Sequence, residues 1–599
     1  MKFLLIPFLL GFCLVSHANT HTENSRVLAD IAERYFTQRL QLDPLEGSAT
    51  LGEEQYEDKV EITIAPGWLR KSSKLAEKTL RELHALDQQL LSAEDRVTYQ
   101  VLQSQLRDQL EGDKFPSHLL PIAQYGGMPV YLAQLGSGQD IQPLKTPLQY
   151  RHYLKRLAKI PDWNAQAISN MREGVKRGIV QPKALIVSGL PAIKALEESD
   201  LEKNAFLLAI RSMPDTFSAA EREQLTSAYK KLVEKKIIPS MKKLTTFLEN
   251  EYLPQARDSA GIGELADGTA WYQYLVKYHT TTQMTPEQIH NLGLSEVARI
   301  RGEMETIKKN YNFNSSLSDF LRWQASQEQF KPFKSEQEIL AGYEDLNKKI
   351  VPRLPQLFGR MPKAPLIILP EPELTRATAS DHYNAPAPDG SRPGVYYAVI
   401  QNPQDYRNTK MTSLFLHEGQ PGHHFQIALQ QELSLAKFRK YGWFTAYGEG
   451  WALYAETLGK EMGLYQDPNQ YLGHLKMELM RAVRLVTDTG LHAKGWTREQ
   501  TIQYMMDTEG TGEAEARRAT ERYMAWPGPA LAYKVGALKF QELRNRAQQR
   551  LGEKFSLQSF HDLVLSEGVL PLSILEAKVD TWIESLQPLA SDKSEHSLK

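Results

Sequence analysis

The sequence predicts a mostly α protein carrying one small β-ribbon. Apolar residues recur at helical spacing along most of the chain, helix-capping signatures recur, and the proline-rich segment where that pattern fails is short. From Thr22 to about Tyr311 the pattern is helical nearly throughout. Thr285-Pro286-Glu287-Gln288 supplies an N-cap, a proline at the first helical position and a glutamine placed to close a capping box. Val297, Ile300, Met304 and Ile307 then share one helical face. A second capping box, Thr497-Arg498-Glu499-Gln500, opens a later helix. Between about Pro362 and Pro403 the prolines break any helix. There Leu366-Ile367-Ile368-Leu369 and Val395-Tyr396-Tyr397-Ala398-Val399-Ile400 are β-type runs, with Asp389-Gly390 marking a turn between them. The ribbon they predict comes just before the most polar helix of the chain.

Composition narrows the classes of function. The chain has 599 residues, 41% of them apolar, with 71 Lys and Arg against 72 Asp and Glu and a single Cys. No long tract lacks apolar residues, which excludes a disordered or fibrous protein. A net charge of −1 offers no basic field for a phosphate backbone, so nucleic acid is not an expected partner. Gly136-Ser137-Gly138 has no βαβ context and predicts no nucleotide loop, and Asn314-Ser315-Ser316 is too weak a glycosylation match to use.

The N-terminus reads as an address. Lys2, the apolar run Phe3 to Val15, and Ser16-His17-Ala18 predict a signal peptide of residues 1–18, cleaved after Ala18, and hence a periplasmic or secreted protein. The run is too short to span about 30 Å of hydrocarbon, and no later segment reaches 18 uninterrupted apolar residues, so no transmembrane segment is expected in the mature chain. Bulky Phe12 before Cys13 argues against lipidation. The mature chain then has no Cys, and residues 19–599 form one helical domain with an N-terminal portion of about 22–311 and a catalytic portion of about 312–590.

The chemistry concentrates in Leu416-His417-Glu418-Gly419-Gln420-Pro421-Gly422-His423-His424-Phe425. Zinc hydrolysis needs neutral nitrogen ligands, an open position for water and a carboxylate beside that water. His417 followed by Glu418 meets two of these needs. A second ligand usually comes four residues on, where this chain has Pro421. In an undistorted helix His424 falls about 20° from His417 and His423 about 120° away. Pro421 and Gly422 predict a bulge that could rotate His423 into place, so geometry leaves His423 and His424 even. A third ligand is offered by Glu449, which shares an otherwise apolar face with Ala452, Leu453 and Glu456 and is costly to bury without a cation. Glu456, one heptad on, suits a bond to a ligating imidazole. Transition-state stabilisers are sought in Tyr533 and His492, and anchors for a substrate carboxylate in Arg522 and Lys534.

These residues carry a resemblance. His-Glu-x-x-Pro-Gly-His-His, Glu-Gly-Trp-Ala-Leu-Tyr-Ala-Glu, Gly-Leu-His-x-x-Gly-Trp and Arg-Tyr-x-x-x-Pro-Gly together resemble the bacterial family catalogued as domain of unknown function 885. Asp389-Gly390-Ser391-Arg392-Pro393-Gly394, Met171-Arg172-Glu173-Gly174 and the segment Thr280 to Met304 resemble it too, though Pro529 stands where the family commonly has Gln. That family is similar in turn to helical zinc peptidases of the thimet oligopeptidase, angiotensin-converting enzyme and thermostable carboxypeptidase type. The resemblance implies a large two-lobed helical body around a deep cleft, with the β-ribbon near the metal. It also favours His423 as second ligand, with two extra residues before it in the metal helix.

The resulting expectation is an exported zinc metallopeptidase trimming oligopeptides. His417, His423 and Glu449 hold Zn2+, Glu418 is the general base, and Tyr533 or His492 stabilises the oxyanion. An extended peptide adds to the ribbon edge near Tyr396 and Tyr397. The alternatives are a catalytically inactive peptide-binding scaffold of the same fold, and a zinc amide hydrolase acting on cell-wall fragments.

Overall fold

The computed structural model describes residues 9–138, 141–376, 379–388, 390 and 392–587. Of the predicted leader, residues 1–8 lie outside the described residues, and the rest begins the helix Leu9–Leu42. The fold is mostly α, with one three-stranded sheet among the described residues. Both predicted capping boxes close: Thr285 and Thr497 accept from the backbone N–H of Gln288 and Gln500, whose side chains bond back. Val297, Ile300, Met304 and Ile307 are all buried on the helix Pro286–Asn310, which packs along the helix Pro468–Ala493.

The largest hydrophobic core does not stop at residue 311. It runs from Leu28 and Tyr35 near the N-terminus, through Phe415, Phe425 and Trp451, to Val579 and Ile583. A second core lies wholly in the N-terminal part, from Val60 to Tyr252. A third joins Ile300 and Met304 to Leu479, Val486 and Tyr523.

The ribbon holds one strand more than the two runs expected of it. β1 (Leu366–Pro370) and β3 (Gly394–Ala398) pair in parallel, with Ile368 opposite Tyr396, and an unforeseen β2 (His382–Asn384) pairs antiparallel with β3. Parallel pairing needs a crossover of a dozen residues or more, and residues 371–393 provide it. Gly390 has the positive φ of +75° expected of a turn, whereas Asp389 lies outside the described residues. The strand order β1-β3-β2 makes β3 the central strand.

Two helices position the chemistry. The helix Thr445–Thr457 crosses the helix Pro529–Leu551 with backbone against backbone: a Cβ on Gly536 would sit 1.9 Å from the Ala446 carbonyl and 2.8 Å from Gly450 Cα. Only glycine permits that approach. Among the described residues, no helix is long and apolar enough to cross a membrane.

Candidate metal centre

The predicted bulge is a complete break. One helix, Met411–Glu418, ends at the His-Glu pair, and a second, His423–Glu432, begins at His423 with Gly422 as its N-cap. Between them the chain folds back on itself, so that a Cβ on Gly422 would lie 1.9 Å from the His417 carbonyl oxygen. Trp451 Nε1 donates to the Pro421 carbonyl at 2.9 Å and pins the break from the Glu449 helix.

This break sends the two adjacent histidines to different places. His423 Nε2 lies 3.4 Å from Glu449 Oε2, and His417 Nε2 lies 3.5 Å from the same oxygen. The two imidazoles meet edge-on, with centroids 4.8 Å apart and planes at 85°. Ligand atoms of His417, His423 and Glu449 all lie within 4.8 Å of one another. His424 instead turns to the sheet, where its Nδ1 meets the Tyr383 hydroxyl at 3.1 Å. Burial lowers its pKa to about 4, so it is neutral there. The alternative ligand His424 is therefore not brought to the cluster: a helix started afresh at His423 points its first two side chains about 100° apart.

The donor set fits a tetrahedral ion. Bonds of 2.0–2.1 Å at the tetrahedral angle separate two donors by about 3.3 Å, close to the 3.4 and 3.5 Å seen here. Both distances exceed the mode of about 2.9 Å for an N–H···O hydrogen bond. Burial alone would raise the pKa of Glu449, but the His423 charge and the His417 and His423 ring N–H groups more than offset it, and the carboxyl is held well below its ordinary range. Glu456, fully buried, accepts from His417 Nδ1 at 2.9 Å, the position predicted for it.

Glu418 follows His417 in the same buried turn and is 7% exposed. Burial pushes its carboxyl up to about 8, with His423 opposing and Glu449 and Asp381 adding to the rise. Tyr533 faces the same region, and Arg484 lies over its ring at 4.7 Å. Burial, then the Glu449 charge, raises the phenol to about 12, so it stays protonated as a donor.

Other expected site residues go elsewhere. His492 is fully engaged: Nδ1 accepts from the Ile262 N–H at 3.0 Å, and Nε2–H donates to the Tyr523 carbonyl at 3.0 Å, which leaves no proton for an oxyanion. Burial lowers its pKa to about 3. Lys534 is clamped between Glu296 at 2.8 Å and Glu478 at 2.6 Å, leaving no free ammonium for a substrate. Tyr396 is buried, with its hydroxyl donating to Asp381 at 2.9 Å, while Tyr397 points to the opposite face and stacks on His382. Because β3 is central, neither tyrosine borders a free sheet edge. Arg522 lies 5.6 Å over the Tyr523 ring, and its charge reaches Tyr533.

Two arginines escaped the sequence reading. Arg481 and Arg484 are buried on the helix Pro468–Ala493, Arg481 3.6 Å from Glu456 and Arg484 against Tyr533. A pair of cations inside an apolar helical run was the signal available, since neither can be buried cheaply without nearby carboxylates.

No protein of curated function matches the chain. Solved structures resemble it, among them these two. One, from Colwellia psychrerythraea and described as a "putative lipoprotein", is 27% identical over 94% of this chain and 99% of that chain, with a TM-score of 0.84. The other, described as a "putative lipoprotein of unknown function" from Shewanella oneidensis, is 20% identical over 92% and 99% of the two chains with a TM-score of 0.72, a likeness of fold. Neither description supports the expectation against lipidation. The model of the bacterial proteins of unknown function called DUF885 matches residues 46–579, and the chain belongs to that family.

Proposed function

We propose that this protein is an exported zinc peptidase acting on oligopeptides, similar in its chemistry to the helical zinc peptidases. The observation that carries the proposal is the convergence of His417 Nε2 and His423 Nε2 on one oxygen of Glu449, at 3.5 and 3.4 Å, beside buried Glu418. His417, His423 and Glu449 would hold the ion, with Glu456 fixing the His417 ring. When bound, zinc supplies a Lewis acid that polarises the scissile carbonyl and acidifies water.

The side chains supply the rest. The charge of a bound ion would favour the ionised form of Glu418, which takes a proton from the attacking water as that water's oxygen bonds to the carbonyl carbon. Glu418 then returns that proton to the amine nitrogen as the C–N bond breaks. The Tyr533 hydroxyl donates to the oxygen that gains charge, and Arg484 steadies its ring. Export is part of the proposal: the apolar leader and the descriptions of the two structural neighbours support it. Those descriptions also bring Cys13 lipidation back beside cleavage after Ala18, and the intact mass of the exported protein separates the two.

Metal content and digestion of a mixed peptide library, read by mass spectrometry, test the function. About one zinc per chain is expected in the wild type and none in His417→Ala. Glu418→Gln should keep the metal and lose turnover by at least about 10²-fold. Negligible zinc in the wild type overturns the metal site. Zinc with tight peptide binding and no cleavage points to the scaffold alternative, and cleavage confined to cell-wall fragments to the amide hydrolase.

A further inference from the structure

A cavity of about 680 Å³ lies against the start of the Glu449 helix. It is within the range of small-ligand sites. Its walls come from the helices Leu9–Leu42, Ala93–Gly112 and Gly268–Thr280 and from the segment 441–445, which runs directly into the helix Thr445–Thr457. Trp443 belongs to that wall, is 41% exposed, and stands with its ring centroid 5.9 Å from that of His423. Trp443 thus stands between the cavity and His423 of the cluster.

Its lining is aromatic and acidic together. Phe115 stacks on Trp271 at 5.8 Å and on Tyr274 at 5.4 Å. Glu46 is matched by Arg39 at 2.7 Å, but among the described residues the side-chain partners of Asp108 and Asp113 are hydroxyls, Ser104 at 3.3 Å and Ser73 at 2.6 Å. Lys277, on the neighbouring helix, acts on Asp108 through its field alone. Burial, then the Arg177 charge, lowers the pKa of His118 in the same wall. Among the described residues Gln105 Oε1 is buried with no donor, and Arg39 Nε, on the side where Glu46 meets that guanidinium, with no acceptor. The lining therefore holds two carboxylates in excess and a spare acceptor among flat aromatic faces.

A ligand that answers all of these is a planar or compact cation on an apolar stem. The rings take the methylenes and the cation face, and the carboxylates and Gln105 take its N–H groups. We propose that this cavity binds a cationic side chain, arginine or lysine, of the peptide whose backbone reaches His417, His423 and Glu449. The peptide part of this statement rests on the function proposed above, whereas the cation site stands on the cavity.

Calorimetric titration of the metal-stripped full-length protein separates the two. The probes are N-acetyl-arginine amide and its neutral isostere N-acetyl-citrulline amide. The arginine probe should bind at least about tenfold more tightly, a difference of about 1.4 kcal/mol. Asp108→Asn should erase most of that preference without weakening the citrulline probe, and Asp113→Asn, at an exposed position, should reduce it in a variant whose fold is not at stake. Equal affinity for the two probes, or no binding of the arginine probe at millimolar concentration, overturns the cation site. Retained arginine preference in a protein that, zinc-loaded, cleaves no peptide leaves the cation site standing and overturns only the peptidase.

Discussion

His417 Nδ1 and Glu456 Oε1 lie 2.9 Å apart in an interior that water does not reach. The Nδ1–H donates to the carboxylate, which fixes the ring so that Nε2 is directed toward His423 and Glu449. Glu456 is in turn approached by Arg481 at 3.6 Å and His474 at 3.7 Å. Burial would raise its pKa, but the Arg481 charge and the two ring N–H groups outweigh it and keep the carboxyl ionised.

Replacing Glu456 by Gln keeps the shape of this contact and removes its charge. Metal affinity should fall about 10- to 100-fold, measured by competition with a chromogenic chelator. An unchanged affinity would mean that Glu456 does not orient the ligand.

His423→Ala and His424→Asn should part company. The first removes an atom that converges on Glu449 and should abolish stoichiometric zinc. The second loosens the bond to Tyr383 and should leave zinc content as it was, both being measured by metal analysis of purified protein.

Tyr533→Phe removes one hydroxyl and leaves the ring under Arg484. Turnover should drop about 10²-fold with zinc content and KM nearly unchanged, as expected for a group that acts on developing charge. A loss confined to KM would place Tyr533 in ground-state binding instead.

Acid should unfold the protein through its buried neutral histidines. His492 and His561 have pKa values lowered to about 3, and His279 and His424 to about 4, each first by burial. Below about 6.5 the unfolded chain takes protons that the folded chain refuses. The contribution is therefore complete above pH 6.5 and is lost as pH falls toward 3 to 4, at about 1.4 kcal/mol per pH unit for each histidine. Asp488 runs the other way: burial pushes it up to about 7, so its contribution is lost as pH rises from about 4 to 7. Glu418 and Glu509, pushed up to about 8 first by burial, oppose the histidines in the same way, so the readout is the change on substitution: His492→Gln should shift the slope of denaturant midpoints against pH between 4.5 and 6.5 by about one proton relative to the wild type.

Gly536→Ala forces a methyl into the Ala446 carbonyl where the two site helices cross. The cost should reach about 3 kcal/mol or more, visible as a lowered denaturation midpoint, because neither backbone can retreat without moving Glu449.

The helices and the His417, Glu418, Glu449 and Glu456 positions could be read from sequence because each rests on local spacing or on one burial argument. The choice between His423 and His424 could not be read from the residues alone. It depends on where the second helix restarts, which the Trp451 bond to Pro421 and the close approach of Gly422 to His417 decide across 30 residues. His492 and Lys534 misled for a related reason. A histidine or lysine in a motif looks available until its partners are known, and Ile262, Tyr523, Glu296 and Glu478 come from distant segments. Tyr396 and Tyr397 failed as an edge because three residues, His382–Asn384, are too short to announce a strand.

The fresh start at His423 gives two neighbouring residues opposite duties. One peptide bond separates a side chain aimed at Glu449 from one tethered to Tyr383 in β2. The sheet and the cluster are thereby joined through a single turn of helix, whose first residue approaches Glu449 and whose second is held by Tyr383.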